Sequence, residues 1–314
     1  MIKTHKLTKE FSTTVAVRDL DLSVDKGEIY GFLGPNGAGK TTTIMMLLGL
    51  EKPTSGLIEI FGKPLEKNYF EIKRNVGVVS ENQYFYDDMT AWEYLNFFGR
   101  LYEVEEREKK IKAFLERVKL YHRRNERLSG YSHGMKQKIA IARALIHDPD
   151  LIILDEPQNG LDPYGIREVR DIIGEENAKG RTVLISSHIL SEIEQTCNRV
   201  AILNKGKLVA EGPLDIVKMT TQQHATLIVE IENLTEEIKE KLTTQSYVKD
   251  CVEENEKLIL SVDRDNDYRS QVARLISENG GLVVGMQAKS YSLEEAFMKI
   301  TDSNLETIIK EGTA

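Results

Sequence analysis

The segment Gly34–Thr41 reads Gly-Pro-Asn-Gly-Ala-Gly-Lys-Thr, which fits the pattern Gly-x-x-x-x-Gly-Lys-Thr. Its glycines allow a tight turn in which successive backbone N–H groups point at an anion. The Lys40 ammonium adds a positive charge, and the Thr41 hydroxyl is a suitable ligand for Mg²⁺. The segment therefore predicts a loop that binds nucleotide phosphates. The candidate phosphate-binding residues are Asn36, Gly37, Ala38, Gly39, Lys40, Thr41 and Thr42.

The residues on either side of this loop support the prediction. Ile29–Leu33 is a short apolar run, which is typical of a strand buried on both faces, and Thr41–Leu50 has the pattern of a helix. Strand, glycine loop and helix in this order form one βα unit of a parallel sheet. Two earlier segments, Lys6–Phe11 and Leu20–Val24, alternate as strands do. The alternative is a flexible glycine turn before a helix, without a ligand.

A second candidate site follows the apolar run Leu151–Leu154, which predicts another buried strand. Asp155 comes at the carboxyl end of this strand, where an acidic partner of a phosphate loop would hold Mg²⁺. Glu156 follows directly and can orient and polarise an attacking water as a general base. An acidic pair after a strand is often only a solvated strand end. Together with the phosphate loop, the pair favours a catalytic role.

His188 ends a further apolar run, in Ile185-Ser186-Ser187-His188. Ligands of open α/β sheets bind at the carboxyl ends of the strands, which is where this residue is predicted to lie. A neutral imidazole there can bond the terminal phosphate and the attacking water. The alternative for a lone histidine is a structural or solvated role.

Composition and charge exclude several classes of protein. The chain has 314 residues, with 42 Lys and Arg against 50 Asp and Glu, a net charge of −8 and a pI near 5.5. This acidic balance argues against a nucleic-acid partner. Apolar runs such as Ile44–Leu50 are far shorter than the ~20 residues that span a bilayer. Only Cys197 and Cys251 are present, so a disulfide framework is excluded. We expect a cytosolic protein without a membrane span.

The pattern along the chain predicts two domains. Apolar residues at three- and four-residue spacing predict a helical subdomain at about 88–145. After Gly212-Pro213 the pattern predicts the order βαββαβ, a small α+β sandwich of ferredoxin-like type. We therefore expect one domain over 1–215 and an accessory domain over 216–314 that serves dimerisation or regulation.

These motifs, in this order, resemble the ATP-binding subunits of ABC transporters over residues 1–215. That family carries a signature segment ahead of the acidic strand, and the matching stretch here is Tyr131–Met135, followed by Lys-Gln-Lys. Leu128–Gly130 is a competing stretch, but its distance from Pro149 fits less well. The resemblance implies an α/β fold: a P-loop NTPase core of ABC type, with a mixed sheet and a helical subdomain, followed by a small C-terminal α+β domain. It also implies the cofactors ATP and Mg²⁺.

The resemblance implies further site residues. In this family two subunits sandwich two nucleotides, so Ser132 and Gly134 would contact ATP held by the other subunit. Ser132 would cap the signature helix, and Gly134 would let the backbone approach a phosphate. Phe11 matches the aromatic residue that stacks on adenine, and Asp162 lies in the loop that links the two nucleotide sites. The alternatives are an ordinary capped helix and a core aromatic residue.

Three positions depart from the family pattern: Glu81, and in the signature segment His133 and Met135, which stand in place of glycine and glutamine. The loop after the predicted strand Val76–Val79 has Glu81 where the family offers a glutamine to the metal and to the membrane partner, and Gln83 comes two places later. A carboxylate can still reach Mg²⁺ directly or through water, but it adds a negative charge. With Thr41 and Asp155, Glu81 is a candidate metal ligand.

The signature run Ser-x-Gly-Met-Lys-Gln and the end of the chain near Gly285–Thr301 resemble exporter subunits with a C-terminal extension. We therefore predict an ATPase subunit that dimerises on ATP binding and drives a separate membrane permease from the cytoplasmic face. The cargo would be a drug, a peptide or another amphiphilic compound. We expect the permease to bind near Glu81 and the helical segment that holds Trp92 and Tyr94. The alternative for Trp92, a single aromatic residue at helical spacing, is a place in the core.

Two other functions fit parts of the pattern. A soluble ATP-driven clamp of the same superfamily would act on ribosomes or DNA without a permease. Such proteins carry either two ATPase units or a long coiled coil between the phosphate loop and the acidic strand, and this sequence has neither. A metabolic kinase with a phosphate loop would leave the signature segment and His188 without a role.

Overall fold

A computed structural model describes residues 1–220, 224–254, 257–263, 266–289 and 292–301. The chain forms two compact units, one of residues 1–217 with the described residues from 300 on, and one of residues 218–299. Among the described residues, we find no helix of sufficient length and apolarity to span a bilayer.

The first unit is a mixed α/β structure with two sheets. Its strands are β1 (Ile2–Phe11), β2 (Thr14–Leu20), β3 (Ser23–Val24), β4 (Ile29–Leu33), β5 (Ser55–Ile60), β6 (Lys63–Pro64), β7 (Val76–Val79), β8 (Leu151–Asp155), β9 (Thr182–Ser187), β10 (Arg199–Asn204) and β11 (Lys207–Pro213). Its helices are α1 (Lys40–Leu47), α2 (Tyr69–Arg74), α3 (Ala91–Leu101), α4 (Arg107–Arg117), α5 (His133–Leu145), α6 (Pro163–Ala178) and α7 (Leu190–Thr196), and α8 (Leu214–Thr220) follows at its end.

The six-stranded sheet has the order β11-β10-β4-β9-β8-β7, and all neighbours except β11 and β10 are parallel. Every residue of β4, β8 and β9 is buried, as expected for strands covered on both faces. Leu33 pairs with Ser187, and Asp155 pairs with Ser186, so the carboxyl ends of these three strands lie at one edge. This register brings the phosphate loop, the acidic pair and His188 together.

The second sheet is antiparallel, with the order β2-β1-β5-β6 and β3 paired to β1. The predicted single strand over Leu20–Val24 is wrong, because β2 ends at Leu20 and β3 begins at Ser23. The Thr4 hydroxyl fastens the bend between them, since it donates to the Leu20 carbonyl at 2.7 Å and accepts from the Leu22 N–H at 2.9 Å.

Helices α3, α4 and α5 occupy the segment for which a helical insertion was predicted. The first begins with a capping box: the Thr90 hydroxyl accepts from the Glu93 N–H at 3.2 Å, and the Glu93 carboxylate accepts from the Thr90 N–H at 2.9 Å. Arg117 on α4 donates to Glu176 on α6 at 3.0 Å, and the Glu176 carboxylate is almost fully buried. This ion pair ties the helical segment to the helices that cover the sheet.

The second unit contains a four-stranded antiparallel sheet in the order β13-β14-β12-β15. This is the strand order of a βαββαβ sandwich. Its core is apolar and formed by Leu227, Val229, Ile238, Leu242, Val248, Leu258, Leu260, Val262, Val272 and Ile276. Its elements are β12 (Ala225–Glu232), α9 (Glu236–Thr243), β13 (Val248–Glu254), β14 (Lys257–Val262), α10 (Arg269–Glu278) and β15 (Leu282–Ala288), followed by a helical stretch over 293–301.

A half-buried histidine makes the first unit sensitive to acid. The His147 ring stacks on Tyr102 with centroids 4.0 Å apart, and burial lowers the pKa of His147 from 6.5 to about 4. Below pH 6.5 the unfolded chain binds a proton that the folded chain does not, so stability falls as the pH drops toward 4. Between pH 7.5 and pH 5 the loss is at most about 2 kcal/mol, because the ring keeps some solvent contact.

We expect His147→Phe to keep the stack and to remove this loss. Urea unfolding at pH 7.5 and pH 5 measures the effect as the difference between the two free energies of unfolding. His122→Gln is the control, since His122 is exposed and should leave the acid sensitivity unchanged. An equal drop in stability for His147→Phe and the wild type would contradict the assignment.

Candidate functional site

A cleft of about 750 Å³ opens at the carboxyl edge of the six-stranded sheet. Most of the predicted site residues line this cleft, and Ser132, Gly134, Asp155 and Asp162 do not. The predicted residues in its wall are Phe11, Asn36, Gly37, Ala38, Gly39, Lys40, Thr41, Thr42, Glu81, Glu156 and His188. The cleft is therefore assembled from segments that are far apart in the sequence.

The glycine loop connects β4 to α1 and forms the floor of the cleft. Gly39 lies just before the first helical residue and has a φ of 104°, which favours glycine. A Cβ atom at this position would lie 2.4 Å from the Ala16 carbonyl oxygen, so no other residue fits. The loop can therefore direct its N–H groups and the positive end of the α1 dipole at an anion.

Lys40 lies over this loop. Its ammonium donates to the Gly34 carbonyl at 2.7 Å and approaches the Pro35 carbonyl at 3.4 Å. The Glu156 carboxylate is 4.0 Å from the same nitrogen. Lys40 is almost fully buried, so its charge is directed into the cleft and not toward bulk water.

Asp155 is the last residue of β8 and is buried behind Glu156. It accepts a hydrogen bond from the Ser186 hydroxyl of the neighbouring strand. Burial raises the pKa of the Asp155 carboxyl, and the nearby charges of Glu81 and Glu156 raise it further. A divalent cation would relieve this repulsion, and carboxylate and hydroxyl oxygens are ligands that Mg²⁺ prefers. Among the described residues, no group of three acidic, histidine or cysteine side chains is arranged to hold a metal without other ligands.

Glu156 and His188 form a hydrogen-bonded pair. The Glu156 carboxylate lies 2.8 Å from the His188 ring nitrogen Nδ1 and accepts from the His188 backbone N–H at 3.3 Å. Glu156 has a φ of 48°, which is uncommon for a residue with a side chain. Ser186 supports this backbone, because the Glu156 N–H donates to both the Ser186 carbonyl and its hydroxyl at 3.1 Å. The pair thus leaves the other ring nitrogen of His188 available to a ligand.

The signature residues lie outside this cleft. The Ser132 hydroxyl caps α5 by accepting from the Met135 N–H at 3.3 Å, and the Asp162 carboxylate caps α6 by accepting from the Gly165 N–H at 2.7 Å. Gly134, in the first turn of α5, faces the Leu161 side chain. None of these three residues lines the cleft of its own chain. This agrees with the resemblance, which implies that they contact the nucleotide of a second subunit.

Phe11 stands at the mouth of the cleft at the end of β1, and its ring is 43% exposed. The Lys9 ammonium lies 4.7 Å from the ring centroid. Such exposure distinguishes Phe11 from a core residue and leaves the ring open to a flat ligand.

Glu81 lines both the cleft and a neighbouring cavity of about 200 Å³. Its carboxylate accepts from the Asn159 side-chain amide at 3.3 Å. In the helical segment near which the permease is expected to bind, Tyr94 is fully buried. Exposed aromatic side chains nearby are Tyr84, Tyr86 and Phe97.

Sequence reasoning missed several residues of the cleft wall. Asn159 follows the acidic pair, and Lys205 lies in the turn between β10 and β11. The short motif Asn-Lys-Gly at this turn predicts only a hairpin, so no local signal places Lys205 at the cleft. The backbone of Ala16 lies opposite the glycine loop, and no local sequence signal places it there either.

Comparisons with known proteins agree with this geometry. A family model described as ABC transporter matches residues 17–159. The chain is 42% identical over 302 residues to the bacitracin transport ATP-binding protein BcrA of Bacillus licheniformis, which covers 96% of this chain and 97% of that protein. It is 38% identical to the Nod factor export ATP-binding protein I of Cupriavidus pinatubonensis, over 69% of this chain and 68% of that protein.

Solved structures give the same result. The ATP-binding subunit of an ABC transporter is similar with a TM-score of 0.66 and 33% identity, over 69% of this chain and 92% of that one. A dimeric ATP-binding cassette bound to ADP and phosphate has a TM-score of 0.63 and 25% identity, over 68% and 98% of the two chains. The predicted family and the predicted fold class are confirmed. This chain belongs to the family of ABC transporter ATP-binding proteins, the ATPases that power transport through a separate permease.

Proposed function

We propose that this chain powers an exporter for a peptide or another amphiphilic compound. The observation that carries the proposal is the extent of the likeness to the bacitracin transport protein, which spans 96% of this chain. That match includes the second unit, whereas the matches to the Nod factor export protein and to solved cassettes cover only 68–69% of the chain. The shared architecture thus extends beyond the ATPase core.

Two copies of the chain would sandwich two ATP molecules. The support comes from the signature residues, which lie at helix N-termini outside their own cleft. In the proposed dimer, Ser132 and Gly134 of one copy face the ATP held by Lys40 of the other, and Asp162 lies beside them. A helix N-terminus with a small residue suits a phosphate, because its N–H groups and dipole attract negative charge.

The Glu156–His188 pair would carry the hydrolysis. Because His188 Nδ1 faces a carboxylate, this nitrogen holds the proton and the other one points to the cleft. Glu156 accepts a proton from the attacking water, and His188 Nε2, which carries a lone pair in this tautomer, accepts a hydrogen bond from the same water. The Lys40 ammonium would leave the carbonyl oxygens of the glycine loop and donate to the phosphates of ATP instead. Phe11 would stack on the base at the mouth of the cleft.

Mg²⁺ fits the oxygen-donor residues around the buried carboxyl of Asp155. Thr41 and Asp155 would hold it, and Glu81 would contribute directly or through water. Since no described cluster holds a metal alone, the phosphates of ATP would supply the remaining ligands. When bound, the metal neutralises charge on the phosphates. Asp155 would bind it as the carboxylate.

The permease would dock on an exposed aromatic patch, which we define as Tyr84, Tyr86 and Phe97. These side chains are 92%, 55% and 42% exposed, and the Tyr86 and Phe97 rings are in edge contact with centroids 5.9 Å apart. Contiguous exposed apolar surface is typical of a protein–protein contact. Tyr84 lines the neighbouring cavity together with Glu81, so the permease would contact the same loop that reaches the nucleotide. This docking would place the chain at the cytoplasmic face of the membrane.

Copurification from detergent-solubilised membranes tests the proposed function. The tagged full chain should bring down a polytopic membrane protein in stoichiometric amount, identified by mass spectrometry. Tyr84→Ser combined with Phe97→Ser should lose that partner while ATP binding is retained. Phe70→Ser is the matched control, because Phe70 is 81% exposed on α2 and lies outside the aromatic patch.

A soluble partner, or none, recovered even with Glu156→Gln and ATP would overturn the proposal and favour the ATP-driven clamp. An equal loss of the partner in Phe70→Ser would show that the effect is not specific to the aromatic patch.

Residues 216–314 would act as an accessory domain in dimerisation or regulation. The support is the separate apolar core of the second unit, which has the size and strand order of a folded α+β module. Among its described residues, no group of three acidic, histidine or cysteine side chains is arranged to hold a metal.

A further inference from the structure

His133 occupies the first helical position of α5, between the signature residues Ser132 and Gly134. Its ring nitrogen Nε2 lies 2.8 Å from the Asn159 carbonyl oxygen. A carbonyl oxygen only accepts, so Nε2 carries the proton and donates it to this bond. The bond joins the signature segment to the loop that follows the acidic pair, across 26 residues of sequence.

The ring also lies close to Gly160. This residue has a φ of 70°, and a Cβ atom there would come within 2.8 Å of the His133 ring. Leu161 approaches the Gly134 position at 3.3 Å on the same side. The start of α5 and the loop Asn159–Leu161 therefore fit each other closely, and the histidine ring fills the space that a side chain at residue 160 would need.

Asn159 extends this contact to the nucleotide cleft. Its N–H donates to the Glu156 carbonyl at 3.1 Å, and its side-chain amide donates to the Glu81 carboxylate at 3.3 Å. Asn159, Glu156 and Glu81 all line the cleft. Gln137, one turn further along α5, donates to the Pro157 carbonyl at 2.8 Å. The signature helix thus holds the loop after Glu156 at two points.

We propose that His133 is a positioning residue that joins the two nucleotide sites of the dimer. Through Asn159 it holds the loop after Glu156 in a fixed place relative to the signature segment of the same chain. In the sandwich, the signature segment would contact the ATP of the partner copy, and Glu156 would act on the ATP of its own copy. His133 therefore links the position of Glu156 in one nucleotide site to the binding of ATP in the other. The inference rests on the two-copy sandwich of the proposed function.

Two substitutions separate the hydrogen bond from the packing. Gln places an N–H at the same number of bonds from its Cα as His Nε2, and Met places a methyl group there. We expect His133→Met to lower the kcat for ATP about fivefold to tenfold and to bring the Hill coefficient down to about 1. His133→Gln should stay within about twofold of the wild type in both quantities. Binding of ATP to the isolated copy, at protein concentrations below dimerisation, should change less than about twofold in either variant.

His122→Met is the matched control, because His122 is an exposed histidine in the short helical turn before the signature segment and should leave kcat unchanged. The inference is overturned if His133→Met keeps the kcat and Hill coefficient of the wild type, or if His133→Gln falls as far as His133→Met. A different result would contradict the proposed function. If the Glu156→Gln protein stays monomeric with ATP and Mg²⁺, no two-copy sandwich forms. The two failures are therefore distinguishable.

Discussion

Replacing Glu156 with glutamine is expected to lower ATP turnover about 10²–10⁴-fold, the contribution of a positioned general base. Glutamine has nearly the shape of glutamate, and its carbonyl oxygen can still accept from His188, which lies 2.8 Å from the carboxylate. It cannot take a proton from water. ATP binding should therefore persist, and the protein should accumulate as a dimer that closes and does not reopen.

Phosphate release measures the turnover, and size-exclusion chromatography with ATP and Mg²⁺ measures the dimer. Glu66→Gln is the matched control, since Glu66 is exposed on the surface of the same unit. Unchanged turnover in Glu156→Gln would remove Glu156 from the catalytic role. If turnover is lost but no dimer accumulates, Glu156 remains the general base and the proposal that two copies sandwich ATP is rejected.

Replacing Lys40 with alanine is expected to weaken ATP binding at least about 100-fold. The variant removes a charge that would make charge-assisted hydrogen bonds to two phosphates, each worth roughly 1.5–3 kcal/mol. It also leaves the Gly34 carbonyl, now 2.7 Å from the ammonium, without that donor. Calorimetric titration with ATP and Mg²⁺ gives the dissociation constant directly.

The thermal unfolding midpoint of Lys40→Ala must stay close to the wild-type value for this result to report on binding. Lys67→Ala is the matched control, because Lys67 is exposed and does not line the cleft. A dissociation constant within threefold of the wild type would mean that the loop binds phosphates through its N–H groups and helix dipole alone.

Much of the candidate site could be predicted because its signals are local. The glycine loop must lie between a buried strand and a helix, and polar residues after the apolar runs of β8 and β9 must lie at the carboxyl edge of a parallel sheet. This argument places Asp155, Glu156 and His188 at that edge from the sequence alone. Their distance from one another follows from the pairing of Asp155 with Ser186.

What sequence reasoning missed depends on contacts between distant segments. Lys205 reaches the cleft only because β10 pairs with β4, and the turn after β10 gives no sign of it. Tyr94 has the spacing of an amphipathic helix, but only the packed helices decide that it points inward and that Phe97 points outward. The pairing of Glu156 with His188 spans 32 residues, so no motif states it.

The alignment of β4, β8 and β9 at one edge has a consequence for how the protein folds. Each segment of the cleft follows a different strand, so the cleft does not exist until three distant parts of the chain have closed on one another. Contacts of such separation form late, since loop-closure entropy must be offset first. Nucleotide binding is therefore acquired at the end of folding, and bound nucleotide stabilises all three strands together by mass action.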